Sequence, residues 1–520
     1  MDTHKDVSTV FSRAPAGLEA PPVRVEVHLG NGLPAFNLVG LPEAVVRESK
    51  ERVRAALVTA GYDFPQRRIT VNLSPADLPK EGGRFDLPIA VGILAADRRI
   101  LAKSLKGREF YGELSLGGAL RETRKLLPAL IAGAKLGSEM ILPAANALEA
   151  SLISGAKLRL VNHLSEVVAA LKDKGSLYAL PFASFDTSVG NRSSKPAPDL
   201  SEVRGQYAGK RALEIAAAGE HGLLMIGPPG SGKTLLAQRL AGLLPPMSHN
   251  EILEVASLES AAGRKPTVGG RRPFRSPQHT ASMAALIGGG AMRPGELSLA
   301  HLGVLFLDEL PEFPRNALEA LREPLESGTV ILSRLKRTCE FPARFQLVAA
   351  MNPCPCGYAG DVRGRCHCTA AQVARYRNRI SGPLIDRIDI HVELLPLPVD
   401  QLLGEAPGEA SRQGYREGHA EAESSAAVAE RVAAARALQW QRQEKLNARL
   451  TTAELTRFCG LAKDSRTLLA AAIERLGLSA RAYHRVLKVA RTCADLAQET
   501  DIRLMDVAEA VKLRTLDRTP

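Results

Sequence analysis

Aromatic residues are scarce in this chain of 520 residues, 4% in all with a single tryptophan. Extended base-stacking platforms need several exposed rings in a row and are not expected. No apolar run is long enough to span a bilayer, so no membrane partner is expected. Met1-Asp2-Thr3-His4-Lys5 leads into mixed polar sequence without an apolar h-region, and a secretory signal is not expected either. Cysteines number seven, which reads as metal ligands or free thiols in a cytoplasmic chain, not as a disulfide framework. Acidic residues are outnumbered, 56 to 68, for a formal net charge of +12. That balance favours an anionic partner, nucleic acid first, although it also serves solubility alone.

One ordinary core does not suffice at this length, and about three domains are expected. Two polar segments, 183–200 and 403–425, read as linkers because they carry turn formers and little aliphatic periodicity. They leave residues 1–182, 201–402 and 426–520 as folded units. In the first, Val23–Leu29 alternates apolar and polar as a half-buried strand does, and Ile69–Leu73 forms a second. Between them, 43–60 carries a helical stripe of Val45, Val46, Val53, Ala56 and Leu57. The last unit is helical nearly throughout, as a small bundle.

The most informative segment is Gly227-Pro228-Pro229-Gly230-Ser231-Gly232-Lys233-Thr234, directly after the apolar run Leu223–Ile226. Strand, glycine-rich loop and helix in that order form a phosphate cradle, in which backbone N–H groups and the helix N-terminus face the anion. Lys233 then neutralises the β- and γ-phosphates of ATP, and Thr234 holds Mg²⁺. Val304-Leu305-Phe306-Leu307 is a buried strand ending in Asp308 and Glu309. In a P-loop fold it is expected beside the phosphate loop, with Asp308 orienting Mg²⁺ and Glu309 acting as general base on the attacking water. Phe345–Met351 is the next buried strand and ends on Asn352, which either bonds the γ-phosphate or the water, or merely turns the chain before Pro353. Arg387, in Ser381–Asp389, either projects from the subunit edge into a neighbour's site or pairs locally with Asp386 or Asp389. The first role requires a ring.

This order of motifs resembles the AAA+ ATPases. More closely, Arg293–His301 running into Gly303–Glu309, together with Asn352–Gly357 and Val39–Glu43, resembles the ComM/YifB family, akin to the magnesium-chelatase ATPase subunit. The resemblance covers nearly the whole chain. It implies an α/β P-loop AAA+ core with a parallel sheet, an α+β Lon-protease-like domain before it and a helical lid after it. It also implies a homo-hexamer. Arg481, in Leu478–Arg485, matches the lid arginine of the family and is the expected second sensor; from the residues alone it could equally be an exposed helix-start residue. One departure is Gln278, which stands where the family usually carries a second histidine beside His279. Lys80–Asp86 matches the Lon nucleophile segment with Arg84 in the nucleophile's place, so no peptidase chemistry is expected. Arg84 would instead touch a phosphate, or pair with Asp86 or Glu81.

Cys354, Cys356, Cys366 and Cys368 form two C-x-C pairs. Four thiolates can meet one structural Zn²⁺ when the intervening loop folds back, with His367 a poorer substitute. The cluster begins two residues after Asn352 and would clamp the loop that places it. For nucleic acid, 261–295 has six cations and no acidic residue, and Arg272 and Arg275 are candidates there. A hairpin over Thr329–Phe345 would present Lys336 and Arg337 at its tip. Such cations fit phosphate contacts that hold a strand without reading its sequence. The expected activity is a ring-forming ATPase that moves on single-stranded or branched DNA. The family resemblance implies branch migration during integration of transforming DNA. The alternatives are a chelatase-like motor that remodels a protein partner, and a Lon-like peptidase, which Arg84 disfavours.

Overall fold

A computed structural model of the protein describes residues 6–40, 46, 48–172, 198–290, 292–334, 337–360, 364–396 and 423–514. Both expected linkers lie for the most part outside the described residues. The described chain resumes at each with a tie between them: the Asp199 carboxylate accepts from Ser425 N–H, and Leu200 N–H donates to Ser425 Oγ at 2.7 Å.

The N-terminal part is a seven-stranded sheet. Its order is Ala35–Val39, Arg68–Ser74, Pro22–Gly30, Val7–Arg13, Arg108–Phe110, Glu139–Pro143, Lys157–Val161. The alternation read in Val23–Leu29 is the burial pattern observed, with Val23, Val25, Val27 and Leu29 inside. The helix Asp86–Ala96 is apolar on all sides and is buried along its whole length, as such a helix must be. The stripe expected over 43–60 forms a helix at Ser49–Thr59, burying Val53, Ala56 and Leu57; residues 43–45 and 47 lie outside the described residues.

The middle part is a parallel five-stranded sheet ordered Phe274–Arg275, Val304–Leu307, Gln346–Met351, Leu223–Ile226, Ile390–Glu393. Its three central strands are apolar and buried, as parallel strands covered on both faces are. Gln346–Met351 lies between Val304–Leu307 and the phosphate-loop strand, yet the end of Val304–Leu307 reaches the phosphate loop, where Asp308 accepts from Thr234. Two strand spacings are about 10 Å, a gap that the residues beyond the strand ends still bridge.

The C-terminal helices Ser425–Gln443, Lys463–Leu476, Ala480–Leu496 and Leu504–Lys512 share one apolar core with the helix Tyr207–Gly219 and the sheet. Side chains finish that helix. Gln346 donates to Ala216 O, Arg436 to Ala217 O and Gln439 to Ala218 O. A helix end leaves its last carbonyls without intrahelical partners, so sheet and lid are bolted to the same helix terminus. The N-terminal part rests on the middle through Leu127 and Leu152 against Met247, Ile252 and Val255. Among the described residues no helix is long and apolar enough to cross a membrane.

Candidate nucleotide-binding site

The loop after Leu223–Ile226 turns through Gly232 at φ 88° into the helix Lys233–Leu243, a left-handed corner that favours glycine. Lys233 is 9% exposed. Its Nζ donates to Gly227 O at 2.7 Å, Pro228 O at 2.9 Å and Asn352 Oδ1 at 3.2 Å. Burial lowers the Lys233 pKa, opposed by Asp308 and Glu309, yet among the described residues no carboxylate forms an ion pair with it. A buried cation held by neutral oxygens fits an incoming polyanion. Ser231 Oγ, also buried in the loop, lacks a hydrogen-bond partner, as expected of a group reserved for a ligand. Thr234 Oγ1 donates to Asp308 Oδ2 at 2.8 Å; this hydroxyl–carboxylate pair suits a hard divalent cation.

Glu309 has φ 54°, a strained backbone for a non-glycine residue, and its carboxylate faces His279, Nδ1 to Oε2 at 3.2 Å. The sequence reading missed His279. The available signal was that it follows its strand much as Glu309 follows the adjacent one.

The four cysteines converge. Sγ separations are 3.3 Å for Cys354–Cys356, 3.8 Å for Cys354–Cys366 and 3.7 Å for Cys356–Cys366, and all four sulfurs lie within 4.8 Å of one another. A tetrahedral zinc site with ~2.3 Å bonds spaces its sulfurs by about 3.8 Å, so the set fits. His367 is not among the grouped ligands. The cluster touches the nucleotide loop directly: a Cβ on Gly357 would stand 2.6 Å from Pro229 Cδ. Residues 361–363 of the intervening loop lie outside the described residues.

Arg387 does not project freely, and it pairs with neither Asp386 nor Asp389. Its guanidinium is bound by Glu326 of the helix Arg322–Ser327, and its Nη1 donates to Pro383 O at 2.7 Å. Arg481 is exposed and lines the recess that holds Arg387 and Glu326, and no described contact joins it to the Lys233 cradle. Asp389 serves the lid instead, accepting from Arg485 Nη1 at 2.7 Å and facing His221 Nδ1 at 2.9 Å. Burial alone would raise the Asp389 pKa, but Arg485 and His221 hold it well below the usual carboxylate range.

Two nucleic-acid candidates are corrected. Arg272 is half-buried and spent on Pro245 O, Leu302 O and Glu251. Arg275 is clamped by Glu296 at 2.6 and 2.8 Å. The stretch 261–295 has no acid of its own, but Glu296 follows it at once and Glu251 folds over it. The expected hairpin exists: Thr329–Arg334 pairs with Arg337–Pro342, Arg334 opposite Arg337. Lys336 lies outside the described residues, and of Arg337 only the backbone is described. Arg84 pairs with neither Asp86 nor Glu81. It is buried and donates from Nη2 to Arg124 O at 2.6 Å and Lys125 O at 3.1 Å, and burial pulls its pKa down to about 10. Asp86 is taken by Arg52 at 2.7 Å and Glu81 by Lys125 at 2.8 Å.

Comparison with known proteins gives three family matches: residues 199–402 to magnesium chelatase, subunit ChlI; 25–146 to subunit ChlI of Mg-chelatase; and 422–514 to the ChlI C-terminal region. A Salmonella typhimurium protein named YifB is 48% identical over 516 residues, 98% of each chain. The competence protein ComM of Haemophilus influenzae is 48% identical over 517 residues, again 98% of each. The 38 kDa subunit of magnesium chelatase from Rhodobacter capsulatus is 28% identical over 233 residues, covering 41% of this chain and 60% of that subunit.

Proposed function

Since the chain belongs to the YifB/ComM family of magnesium-chelatase-like AAA+ proteins, we propose that it is a ring-forming ATPase that drives branch migration of DNA. The name of the Haemophilus relative supports a place in the uptake and recombination of transforming DNA. The observation that carries the reading is the Lys233 cradle, with its unpaired buried cation, its orphaned Ser231 hydroxyl and the touching Thr234–Asp308 pair. Thr234 and Asp308 would hold Mg²⁺, which supplies charge neutralisation at the phosphates. Lys233 binds the β- and γ-phosphates, Glu309 takes a proton from the attacking water, and Asn352 orients the γ-phosphate. The four cysteines would hold a structural Zn²⁺.

In this reading residues 1–182, 201–402 and 426–520 act as N-terminal domain, motor core and lid of a cytoplasmic homo-hexamer. Arg387 and Arg481, which share one recess, act together on the nucleotide of the neighbouring subunit, after Glu326 gives up Arg387. Arg84 in the nucleophile's place supports an N-terminal domain without peptidase chemistry. DNA is contacted through phosphates at Lys336 and Arg337.

The deciding experiment is a branch-migration assay on three- and four-way DNA junctions. The wild type with ATP and Mg²⁺ is expected to move the junction, and Lys233→Ala and Glu309→Gln are expected to fail. An ATPase that moves no junction and is not stimulated by single-stranded DNA would instead favour the second reading, a chelatase-like motor acting on a protein partner, which the Rhodobacter relative supports.

A further inference from the structure

With Arg272 and Arg275 engaged by Glu251 and Glu296, part of the excess of cations in this chain faces solvent elsewhere. The stretch 364–379 holds four arginines and no acid. It contains the helix Ala370–Arg377, which follows the cysteine cluster and buries Tyr376 in the same core as Phe313 and Met351. Arg375 and Arg379, four residues apart, are exposed and face the turn Leu310–Glu312, which directly follows Glu309. Arg379 Nη1 donates to Glu312 Oε2 at 2.6 Å and so joins helix to turn. Between them lies an open groove of about 820 Å³, to which Arg315 adds a third guanidinium from the start of the helix Arg315–Glu319. Arg315 and Arg375 are exposed, and among the described residues neither forms an ion pair. Glu319, four residues on from Arg315, is taken by Arg322 at 2.7 Å. Glu312 is the one acid among the residues that line the groove.

We propose that this groove binds the phosphodiester backbone of a second DNA strand, separate from the strand at the hairpin Thr329–Arg334/Arg337–Pro342. The inference rests on the DNA-motor reading. Three guanidinium groups set against one carboxylate leave an excess of donors whose planar fork matches phosphate oxygens. Arg315 and Arg375 can take a phosphate without breaking an internal pair, so the contact releases counterions at little cost in the protein. Apart from Glu312 and Asn378, the remaining lining residues are apolar, Pro311, Phe313, Ala371 and Ala374. Such a surface holds a strand by its backbone and does not read its bases. No hairpin residue lines the groove, so the two sites are free to engage different strands of one junction.

Binding of the full-length protein to a fluorescent three-way DNA junction, measured by anisotropy over a range of salt concentrations, tests this. Arg315→Gln with Arg375→Gln should flatten the dependence of log affinity on log salt by about 1.4 to 1.8, the range for two phosphates on single and double strands. Arg315→Lys with Arg375→Lys, which keeps both charges, should retain most of the wild-type slope. Arg24→Gln with Arg68→Gln removes the same charge from exposed positions of the N-terminal sheet and should leave the slope as it is. ATP hydrolysis without DNA, and assembly with ATP followed by sedimentation, should match the wild type in all three. A wild-type slope in the Arg315/Arg375 glutamine variant, or an equal fall in the Arg24/Arg68 variant, overturns the inference while leaving the DNA-motor reading intact. Loss of assembly in the Arg315/Arg375 glutamine variant also overturns it and makes the groove a seam between subunits. A wild type that binds no junction overturns the DNA-motor reading and the inference together.

Discussion

At the scale of single residues, the site depends on how a buried cation is held. Lys233 is surrounded by neutral oxygens and one amide, so its charge is available to an anion. Lys233→Ala should abolish ATP hydrolysis. Asn352→Ala should lower kcat by about 10²-fold, the usual loss for one preorganised polar group at a reacting centre, while ATP binding survives; single-turnover kinetics separates the two. Lys233 and Thr234 were legible in the sequence because they close a glycine loop and open a helix, and Asp308 and Asn352 because each stands just beyond a strand recognisable by its own apolar run. Arg272 and Arg275 were not. Their partners Pro245 O, Glu251, Leu302 O and Glu296 come from other segments, and a count of charges along the chain does not register them. Asp389 carries a pH signature. Its folded pKa lies below its unfolded one, so its stabilisation is complete above pH about 4 and is lost as pH falls below that. Asp389→Asn should cost about 3 kcal/mol at pH 7 and progressively less as pH falls below about 4, read from urea unfolding midpoints.

At the scale of elements, the cysteine loop presses on the phosphate loop. Gly357 has φ 86° and its Cα faces Pro229. Gly357→Ala should weaken ATP binding while the protein keeps one zinc per chain, measured by nucleotide titration and metal analysis. Cys354→Ser with Cys366→Ser, or removal of metal by a chelator, should lower both ATP hydrolysis and the melting temperature. Full activity in metal-free protein would exclude a structural role for the cluster. The hairpin Thr329–Arg334/Arg337–Pro342 was legible from two apolar runs around a short cationic turn. If its tip follows DNA, Lys336→Ala with Arg337→Ala should flatten the salt slope of single-strand binding by about 1.4.

At the scale of the whole molecule, the pairing of Arg387 with Glu326 and the place of Arg481 in the same recess bear on assembly. If both arginines serve a neighbour, each active site is shared between subunits. Lys233→Ala and Arg387→Ala proteins, each inactive alone, should then recover activity when mixed and reassembled. In a randomly mixed ring about one site in four combines an intact cradle with an intact neighbouring arginine. Mixtures that stay inactive at every ratio would mean that no site is shared in this way.

The sequence by itself determined the chemistry that local spacing can encode: the glycine loop with its lysine and threonine, the strands that end in Asp308-Glu309 and Asn352, and the paired C-x-C runs. Only the tertiary structure decided which strand lies between which, that His279 reaches Glu309, that Glu326 holds Arg387, and that Gly357 leans on Pro229. Each of these is a contact between segments far apart in the chain. Such contacts arise from strand order and packing around a shared core, which no local pattern of residues records.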